Sequence, residues 1–386
     1  MMKKVVRDNW ANRFELVGKP KINDYTFKTD AKSEKSAWVY NAMSLYVDCG
    51  EKYGDILCEM MGGYNSEGDS FIYAHGKDAE GKDDYSENGR ITVEWNDRFN
   101  QTIINDLGER CFFTVGIEKD TEGKTFYAKF LSEYDAIAYI QKHLTEDMVL
   151  RIKGELNYSL YNGNVTVKKK VRSIVLSKVE DRKDFKATFT QSVLLDKDSV
   201  SLKNVDKVSG ELPVYGKVLD YVKEINGTEI KTFYPMPLTF YYRLDLSKEE
   251  VWNTLYNKLF KVKKGITQIN FEGELIENGT VTISYDELPA EIRELVELGA
   301  YSKEEALAKC TANTSKDKKM YLTMPVISMV GEGKDKMPQV MKFEMAYTEE
   351  DLFFEIAEEE DADVEVEDNT TSVNTDSSMD WLNIIK

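Results

Sequence analysis

The chain has 386 residues, a hydrophobic fraction of 41%, a formal net charge of −18, four cysteines and two histidines. It is long enough to bury a large core and is expected to form two domains with extensions. The absence of an apolar run of 18 residues and of a signal-peptide pattern argues against a membrane or secreted protein, so we expect a cytoplasmic protein with free thiols.

Recognisable catalytic and metal-binding motifs are absent from the sequence. The cysteines form no CxxC pair and the histidines, His75 and His143, lie far apart, so no metal site is predicted. There is no Walker loop, no GxGxxG after a strand, no HExxH and no GxSxG. We therefore expect no catalytic residues, no cofactor and no enzymatic activity, with a nuclease as the last alternative.

The first 120 residues alternate between predicted strands and polar connections. Residues 1–36 are polar and are interpreted as an N-terminal arm. Strands are predicted at 38–49, 56–61, 91–95 and 111–117 from their β-branched and aromatic content. Between the second and third of these, residues 62–89 are rich in Gly, Asp and Ser, which indicates a long loop or hairpin arms.

The stretch from Thr125 to Ser177 carries the functional prediction. It reads as strand, helix (Asp135 to Leu144), strand, an Asn-Gly turn and strand. Residues 149–178 hold seven basic residues against one acidic residue, Glu155, in a chain that is acidic overall. Alternation in the last strand places valines on one face and Lys168, Lys170 and Arg172 on the other.

The same order of elements recurs about a hundred residues later. Lys124-Thr-Phe-Tyr127 returns as Lys231-Thr-Phe-Tyr234, and Gly154-Glu-Leu156 with its turn and Val-Thr-Val strand returns as Gly273-Glu-Leu275, Asn278-Gly279 and Val-Thr-Ile. A predicted helix lies between these segments in both copies, the second over residues 248–260. We interpret this as an internal duplication in which the second copy lacks the run of lysines.

These patterns predict a mainly β protein with short helices. A small barrel with a helix between its third and fourth strands is the OB-fold, so we expect two OB-fold-like barrels with extensions. The predicted boundaries are an arm at 1–36, a first barrel at 37–180, a linker at 181–212, a second barrel with a helical insertion at 213–354, and a disordered acidic tail at 355–386.

An OB-fold that binds single-stranded nucleic acid needs positive charge along the backbone and aromatic rings for base stacking. The residues that we predict for the first role are Arg151, Lys153, Lys168, Lys170, Arg172 and Lys129. For stacking they are Tyr127, Tyr158, Tyr161, Trp38 and Trp95. Basic residues on an outer strand face are also commonly only solvated, and most aromatic residues belong to the core.

The tail combines acidic and apolar segments. Residues 355–386 carry eleven acidic residues against one lysine, so ten of the eighteen net negative charges lie there. The last eight residues are apolar, with Trp381, Leu382, Ile384 and Ile385. Such a tail suits the docking of a partner protein, a competitor that occupies the basic groove in the absence of nucleic acid, or a solubilising extension.

The sequence resembles bacteriophage single-stranded DNA-binding proteins, which pair an OB-fold core with an acidic tail and an apolar tip. The resemblance rests on residues 153–174 and 358–386, with a weaker likeness over 285–307; the Ile384-Ile385-Lys386 end departs from the proline-phenylalanine end of the bacterial pattern. It implies sequence-independent binding of single-stranded DNA in a bacterial host cytoplasm, replication or recombination proteins as partners of the tail, and a second barrel that extends the site or contacts partners or other copies in a homo-oligomer. The alternatives are a non-enzymatic virion or assembly protein and a replication or transcription accessory factor.

Overall fold

The computed structural model describes residues 4–161, 163–279, 288, 290–298, 301–303, 306, 317–331 and 336–356. The predicted acidic tail from residue 357 onward, its apolar tip and the side chain of Tyr161 lie outside these residues, and the predicted helical insertion is described in part, including a helix at Ala290–Glu297. No helix within the described ranges is both long and apolar enough to span a membrane.

The protein is mainly β, as predicted, with a few short helices. Its strands are β1 (Asn12–Lys21), β2 (Phe27–Lys32), β3 (Trp38–Asp48), β4 (Asp55–Asn65), β5 (Phe71–His75), β6 (Arg90–Glu94), β7 (Phe113–Lys119), β8 (Thr125–Phe130), β9 (Leu150–Tyr161), β10 (Asn164–Leu176), β11 (Lys186–Leu195), β12 (Glu211–Ile225), β13 (Thr228–Arg243), β14 (Ile266–Gly279), β15 (Asp317–Pro325), β16 (Ile327–Val330), β17 (Met337–Val340) and β18 (Lys342–Tyr347). The α-helices are α1 (Gln101–Asp106), α2 (Glu133–His143), α3 (Trp252–Leu255) and α4 (Ala290–Glu297).

Strands β1, β3, β4, β9 and β10 form the first barrel. They are hydrogen-bonded in the closed order β1-β3-β4-β10-β9-β1, and β4 and β10 run parallel while the other neighbours are antiparallel. Helix α2 lies in the chain between the third and fourth of these strands, and its Ala136, Ile137 and Ile140 are fully buried. This strand order with a helix at that position is the OB-fold.

Strands β11, β12, β13, β15 and β14 repeat this arrangement as a second barrel. The closed order is β11-β12-β13-β15-β14-β11, again with one parallel pair, β13 with β15. The helical segment between its third and fourth strands, residues 246–260, is a 3-10 turn, α3 and a π turn in succession. The predicted duplication is therefore present in the strand topology.

The two barrels also share the same strand registers. Within each strand, adding a constant to the residue number converts the paired residues of the first barrel into those of the second. The equivalent pairs are Lys19–Asp48 and Leu194–Lys217, Glu59–Lys170 and Tyr241–Tyr321, Phe14–Gly154 and Phe189–Gly273, and Gly154–Val171 and Gly273–Leu322. Each residue of one barrel thus has a defined counterpart in the other.

The first strands of the two barrels pair with each other and join them. Strand β1 runs antiparallel to β11, and Phe14 faces its own counterpart, Phe189, at the centre of the pairing. The order β14-β11-β1-β9 is therefore a continuous sheet with an approximate two-fold axis between the two phenylalanines.

A glycine faces each phenylalanine across the barrel wall. A Cβ atom on Gly154 would lie 1.9 Å from the carbonyl oxygen of Lys170 and 2.8 Å from the Phe14 ring, and one on Gly273 would lie 2.2 Å from the Phe189 ring. The recurring Gly-Glu-Leu motif therefore marks the position where the fourth strand crosses closest to its neighbours.

Several predicted boundaries are wrong. Residues 12–21 form the first barrel strand and are not part of an arm, and 186–195 within the predicted linker form the first strand of the second barrel. Burial alternates over only a few residues of each strand, at Phe14 and Leu16 against Arg13 and Glu15 in β1 and over residues 186–191 in β11, so the sequence signal was short and was not recognised. The sequence match of Lys124–Tyr127 with Lys231–Tyr234 does not correspond to equivalent positions in the fold. Strand β8 lies outside the first barrel, whereas β13 is the third strand of the second barrel.

Residues 66–131 are an insertion in the first barrel. It contains the hairpin β5–β6, helix α1 and the hairpin β7–β8, and has a small core of its own around Val93, Leu107, Phe112 and Leu131. Strand β7 runs parallel to the end of β10, through Ser173, Ile174 and Val175, so the insertion extends the barrel wall by two strands.

Candidate nucleic-acid interface

Four neighbouring strands, in the order β9-β10-β7-β8, carry a basic outer surface, which we call the basic face. One row across these strands joins Lys153, Ser173, Thr114 and Lys129, residue opposite residue. Directly paired residues point to the same side of a sheet, and neighbouring strands lie about 4.8 Å apart, so this row spans about 14 Å. The row places Lys129 of the insertion on the same surface as Lys153 of the barrel.

Arg172 reaches the basic face through a β-bulge. The register between β10 and β9 shifts between Val171 and Ser173, which leaves Arg172 as the extra residue. Its guanidinium lies 4.9 Å from the centre of the Phe113 ring and its Nε lies 3.8 Å from the Glu155 carboxylate. The bulge and the aromatic contact hold Arg172 at the surface between β10 and β7.

The run of three lysines in β10 divides between the two sides of the strand. Lys168 is half-buried and Lys170 is exposed on the outer side, and neither forms an ion pair with a carboxylate among the residues that the structure describes. Lys169 points inward and its Nζ lies 2.7 Å from Oε1 of Glu277 on the second barrel, with both side chains only 6% exposed. Only the outer pair is available to a ligand, and Lys169 joins the barrels.

Glu15 partly neutralises the basic face. Its carboxylate lies 2.8 Å from Nζ of Lys186, 3.4 Å from Nζ of Lys153 and 3.7 Å from Nε of Arg151. Burial by itself would raise the pKa of Glu15, but the hydrogen bond and charge of Lys186 together with the charges of Lys153 and Arg151 lower it. Glu15 is thus ionised under neutral conditions and competes for three cations of the face.

Tyr127 is the aromatic residue that lies on the basic face. A Cβ atom on Gly116 would lie 2.8 Å from the Tyr127 ring, so the ring covers the outer side of β7 where Gly116 leaves room for it. The side chain is 56% exposed. An exposed ring beside Lys129 and the end of β10 is suitable for stacking a base.

The other predicted stacking residues in the described part of the chain do not lie beside Tyr127 on the basic face. Tyr158 is 5% exposed and its hydroxyl donates to Oε1 of Gln191, so the stacking role predicted for it is wrong. Trp95 is half-buried between the Tyr64 ring, at 4.9 Å, and the Arg98 guanidinium, at 4.1 Å, so both of its ring faces are covered. Trp38 is half-buried at the start of β3, opposite Asn65.

Sequence reasoning missed three residues of this region. Glu15 and Lys186 belong to strands that were interpreted as an arm and a linker, so no signal identified them. Tyr46 points outward from β3 and is 42% exposed, and its counterpart in the second barrel, Tyr215, is 51% exposed. The second and third strands of an OB-fold are its usual binding surface, and this topology was the signal that would have identified Tyr46.

The counterpart of the basic face in the second barrel differs in charge. The equivalents of Lys168, Lys170 and Arg172 are Lys319, Tyr321 and Thr323. Tyr321 is buried under the Arg243 guanidinium, 4.2 Å from its ring centre, and Lys319 pairs with Glu211 at 3.0 Å. The counterpart of the lysine run is thus in β15 and not at Val281-Thr-Ile as predicted, a segment that lies outside the described residues, and in β15 the side chains satisfy one another.

A Cys–His–Asp cluster lies in the insertion. Sγ of Cys111 lies 3.4 Å from Nδ1 of His75, whose Nε2 lies 2.8 Å from Oδ1 of Asp83. Burial raises the pKa of Cys111, and the neighbouring backbone N–H groups of Arg110 and Cys111 donate to Asp83 and Gly108. A nucleophilic cysteine needs a lowered pKa and free donors for an oxyanion, so this geometry favours a structural link between β5 and the loop before β7.

Much of this architecture lies within a region that matches a known protein family. The YorF family model matches residues 76–317, which is more than half of the chain. The chain belongs to the YorF family. The match runs from the insertion of the first barrel through its last two strands and across most of the second barrel, so the YorF region includes the basic face and the junction between the barrels. No curated protein matches the chain.

Proposed function

We propose that this YorF-family chain is a single-stranded DNA-binding protein of phage replication or recombination, and that the basic face of the first barrel is its binding surface. The observation that supports this most is the row from Lys153 to Lys129 with the exposed Tyr127 ring beside it. Cations follow the phosphates and an exposed ring stacks a base, which together give binding with little sequence preference.

The outer lysines of β10 extend this surface toward the third strand of the barrel. Lys170 is directly opposite Glu59 of β4, and Tyr46 lies two strands away on the outside of β3. A DNA single strand that crosses this surface from β8 over β10 to β3 would contact the Tyr127 ring at one end and the Tyr46 ring at the other, with cationic side chains between them. The acidic tail would then recruit replication or recombination proteins.

The test is fluorescence anisotropy of a labelled oligo-dT at low and high salt. We expect binding by the full chain that weakens steeply with salt, and its loss when Lys168, Lys170 and Arg172 are replaced by Glu. The matched control reverses Lys197, Lys203 and Lys223, three exposed lysines of the second barrel, and should retain most of the affinity. Absence of binding by the unmodified chain at low salt, or equal loss in both triple variants, would refute the proposal.

A second candidate function, a replication accessory factor that acts through protein contacts, is favoured by the second barrel. Its hairpin β16–β17 exposes Ile327, Met329 and Met337, each more than half accessible. Exposed apolar residues of this kind are typical of protein-binding surfaces. This candidate predicts no affinity for oligo-dT, so the same titration distinguishes the two.

A further inference from the structure

The second barrel has an apolar groove with a volume of about 380 Å³. Its walls come from the third barrel strand, the helical segment and the fifth barrel strand with the residues that follow it. The apolar lining residues are Tyr242, Leu255, Leu259, Met324, Pro325 and Val340. Met324 is 55% exposed, so the groove is open to solvent.

The first barrel has a strand in the equivalent place. By the shared register, Met324 and Pro325 correspond to Ser173 and Ile174 of β10. In the first barrel these two residues pair with Thr114 and Val115 of β7. In the second barrel no strand of the described ranges pairs with this edge of β15.

The residues of β7 show what such a groove accommodates. Phe113, Val115 and Ile117 alternate along the strand and are all buried, at 4%, 1% and 2% exposure. The duplicated geometry therefore suits an extended segment with apolar residues at every second position that packs beside β15, where Pro325 offers a carbonyl oxygen but no N–H for a strand ladder.

Positive charge surrounds the groove. Lys258 lines it, and exposed Lys261, Lys263 and Lys264 follow in the next loop. Lys342 also lines it, but its Nζ donates to the carbonyl oxygen of Lys258 and lies 3.9 Å from Glu344. None of the lysines in residues 258–264 forms an ion pair with a carboxylate in the part of the chain that the structure describes. An acidic ligand with an apolar, alternating end would complement both features.

We propose that the chain's own C-terminal residues 379–386 bind in this groove as an extended segment beside β15, with the acidic residues 358–368 over the lysines. In an extended chain Met379, Trp381 and Ile385 share one side with Asn383, and Leu382 and Ile384 lie on the other side with Asp380 and Lys386. This inference does not depend on the proposed function, because it concerns a different surface of a different barrel.

The length of the chain beyond the described residues permits this contact within one molecule. Phe354, close to the last described residue, lies 5.2 Å from the Tyr234 ring on β13. Tyr242 of the groove is eight residues further along β13, which is about 26 Å in a strand. The 22 residues of 357–378 span up to about 75 Å when extended, so the tip reaches the groove with chain to spare.

The experiment uses a fluorescein-labelled peptide of residues 358–386 and the full chain. In one form the chain carries Trp381→Ala and Ile385→Ala, which leaves its own groove open. We expect this tip variant to bind the peptide at least about tenfold more tightly than the unmodified chain, because a tethered tail competes at high effective concentration. Adding Met324→Glu should abolish peptide binding, whereas Met337→Glu, at a site that is 72% exposed and outside the groove lining, should not.

Binding of oligo-dT measured on the same variants separates the possible outcomes. The inference predicts that Met324→Glu leaves DNA affinity unchanged, whatever that affinity is. Peptide binding that survives Met324→Glu but is lost with Lys168, Lys170 and Arg172 reversed would place the tip on the basic face and refute the inference. Loss of DNA binding with intact peptide binding in Met324→Glu would also refute it, because the groove would then be a nucleic-acid site.

Discussion

At the scale of single residues, the basic face depends on how its cations are shared between protein carboxylates and a ligand. Glu15 contacts Arg151, Lys153 and Lys186, and Glu109 pairs with Lys129 at 2.5 Å. A phosphate that approaches the face has to replace these carboxylates. Affinity is therefore set by the acidic neighbours as much as by the number of lysines.

Glu15→Gln should strengthen oligo-dT binding by about fivefold at low salt, because one charge at contact distance in water is worth about 1 kcal/mol. The same variant should lower stability at pH 7. Since the folded-state pKa of Glu15 is lowered, its contribution to stability is present above the ordinary glutamate range and is lost as the pH falls through the lowered value. Anisotropy at neutral pH and urea unfolding over a pH series from 7 downward measure the two effects.

A matched Glu229→Gln variant, at an exposed pair with Lys231 on the second barrel, controls for the change in net charge. Equal gains in DNA affinity from Glu15→Gln and Glu229→Gln would show that Glu15 has no local role at the face. A stability difference from the unmodified chain that stayed constant as the pH fell through and below the ordinary glutamate range would contradict the lowered pKa.

Tyr127→Ala should weaken oligo-dT binding by about 5- to 150-fold, the range that corresponds to 1–3 kcal/mol for a stacked base. Since the ring is 56% exposed, we expect little change in the urea midpoint. Tyr73→Ala, at a ring that is 83% exposed on β5, serves as the control and should bind normally. Anisotropy that shows equal affinities for the two variants would exclude stacking on Tyr127.

At the scale of secondary-structure elements, the fourth strands of the two barrels depend on Gly154 and Gly273. Gly154→Ala should destabilise the protein by about 1–3 kcal/mol or more, because the added Cβ meets the Lys170 carbonyl oxygen, which belongs to backbone and cannot turn aside. Gly68→Ala, where the nearest atom is 3.5 Å away, should stay within about 0.5 kcal/mol. Urea unfolding measures both variants, and similar midpoints would show that the strand shifts to accept a methyl group.

The sequence predicted elements well where one side of a strand faces solvent or where the chain turns sharply. The strand at 38–48, helix α2 and the connection from β9 to β10, where Tyr161 pairs with Asn164, lie within a few residues of their predicted positions. The Gly-Glu-Leu repeat found the true counterparts because close packing at Gly154 and Gly273 requires glycine in both barrels. The Lys-Thr-Phe-Tyr match had no such physical requirement, and it paired elements that are not equivalent.

The site was only partly predictable, for reasons that lie in the tertiary structure. The outward direction of Lys168 and Lys170 followed from strand alternation. The position of Lys129 and Tyr127 beside Arg151 and Lys153 depends on the parallel pairing of β7 with β10, which no local pattern encodes. The burial of Tyr158 depends on the second barrel, since its backbone N–H donates to Asp220 of β12.

At the scale of the whole molecule, the barrels should unfold together. They share the β1–β11 pairing and the buried pair of Lys169 with Glu277, and urea unfolding followed by circular dichroism and by tryptophan fluorescence should give one coincident transition. Lys169→Met should cost up to about 3–5 kcal/mol, because the buried Glu277 loses its close partner and keeps only Lys318, at 3.9 Å. The double variant Lys169→Met with Glu277→Gln should recover much of this, since methionine is the residue at the equivalent position, Met320, of the second barrel. Two separate transitions in the unmodified chain would show that the barrels are independent.

The pairing of Phe14 with its own counterpart Phe189 has a consequence for the origin of the chain. A strand that runs antiparallel to an equivalent strand about a two-fold axis is the contact by which identical subunits form an isologous dimer. The junction is therefore the one that a dimer of single-barrel ancestors would have made before their genes were fused. Two halves joined in one chain occur at a ratio of one to one, so their outer surfaces can differ, with exposed lysines on the first barrel and an apolar groove beside β15 on the second.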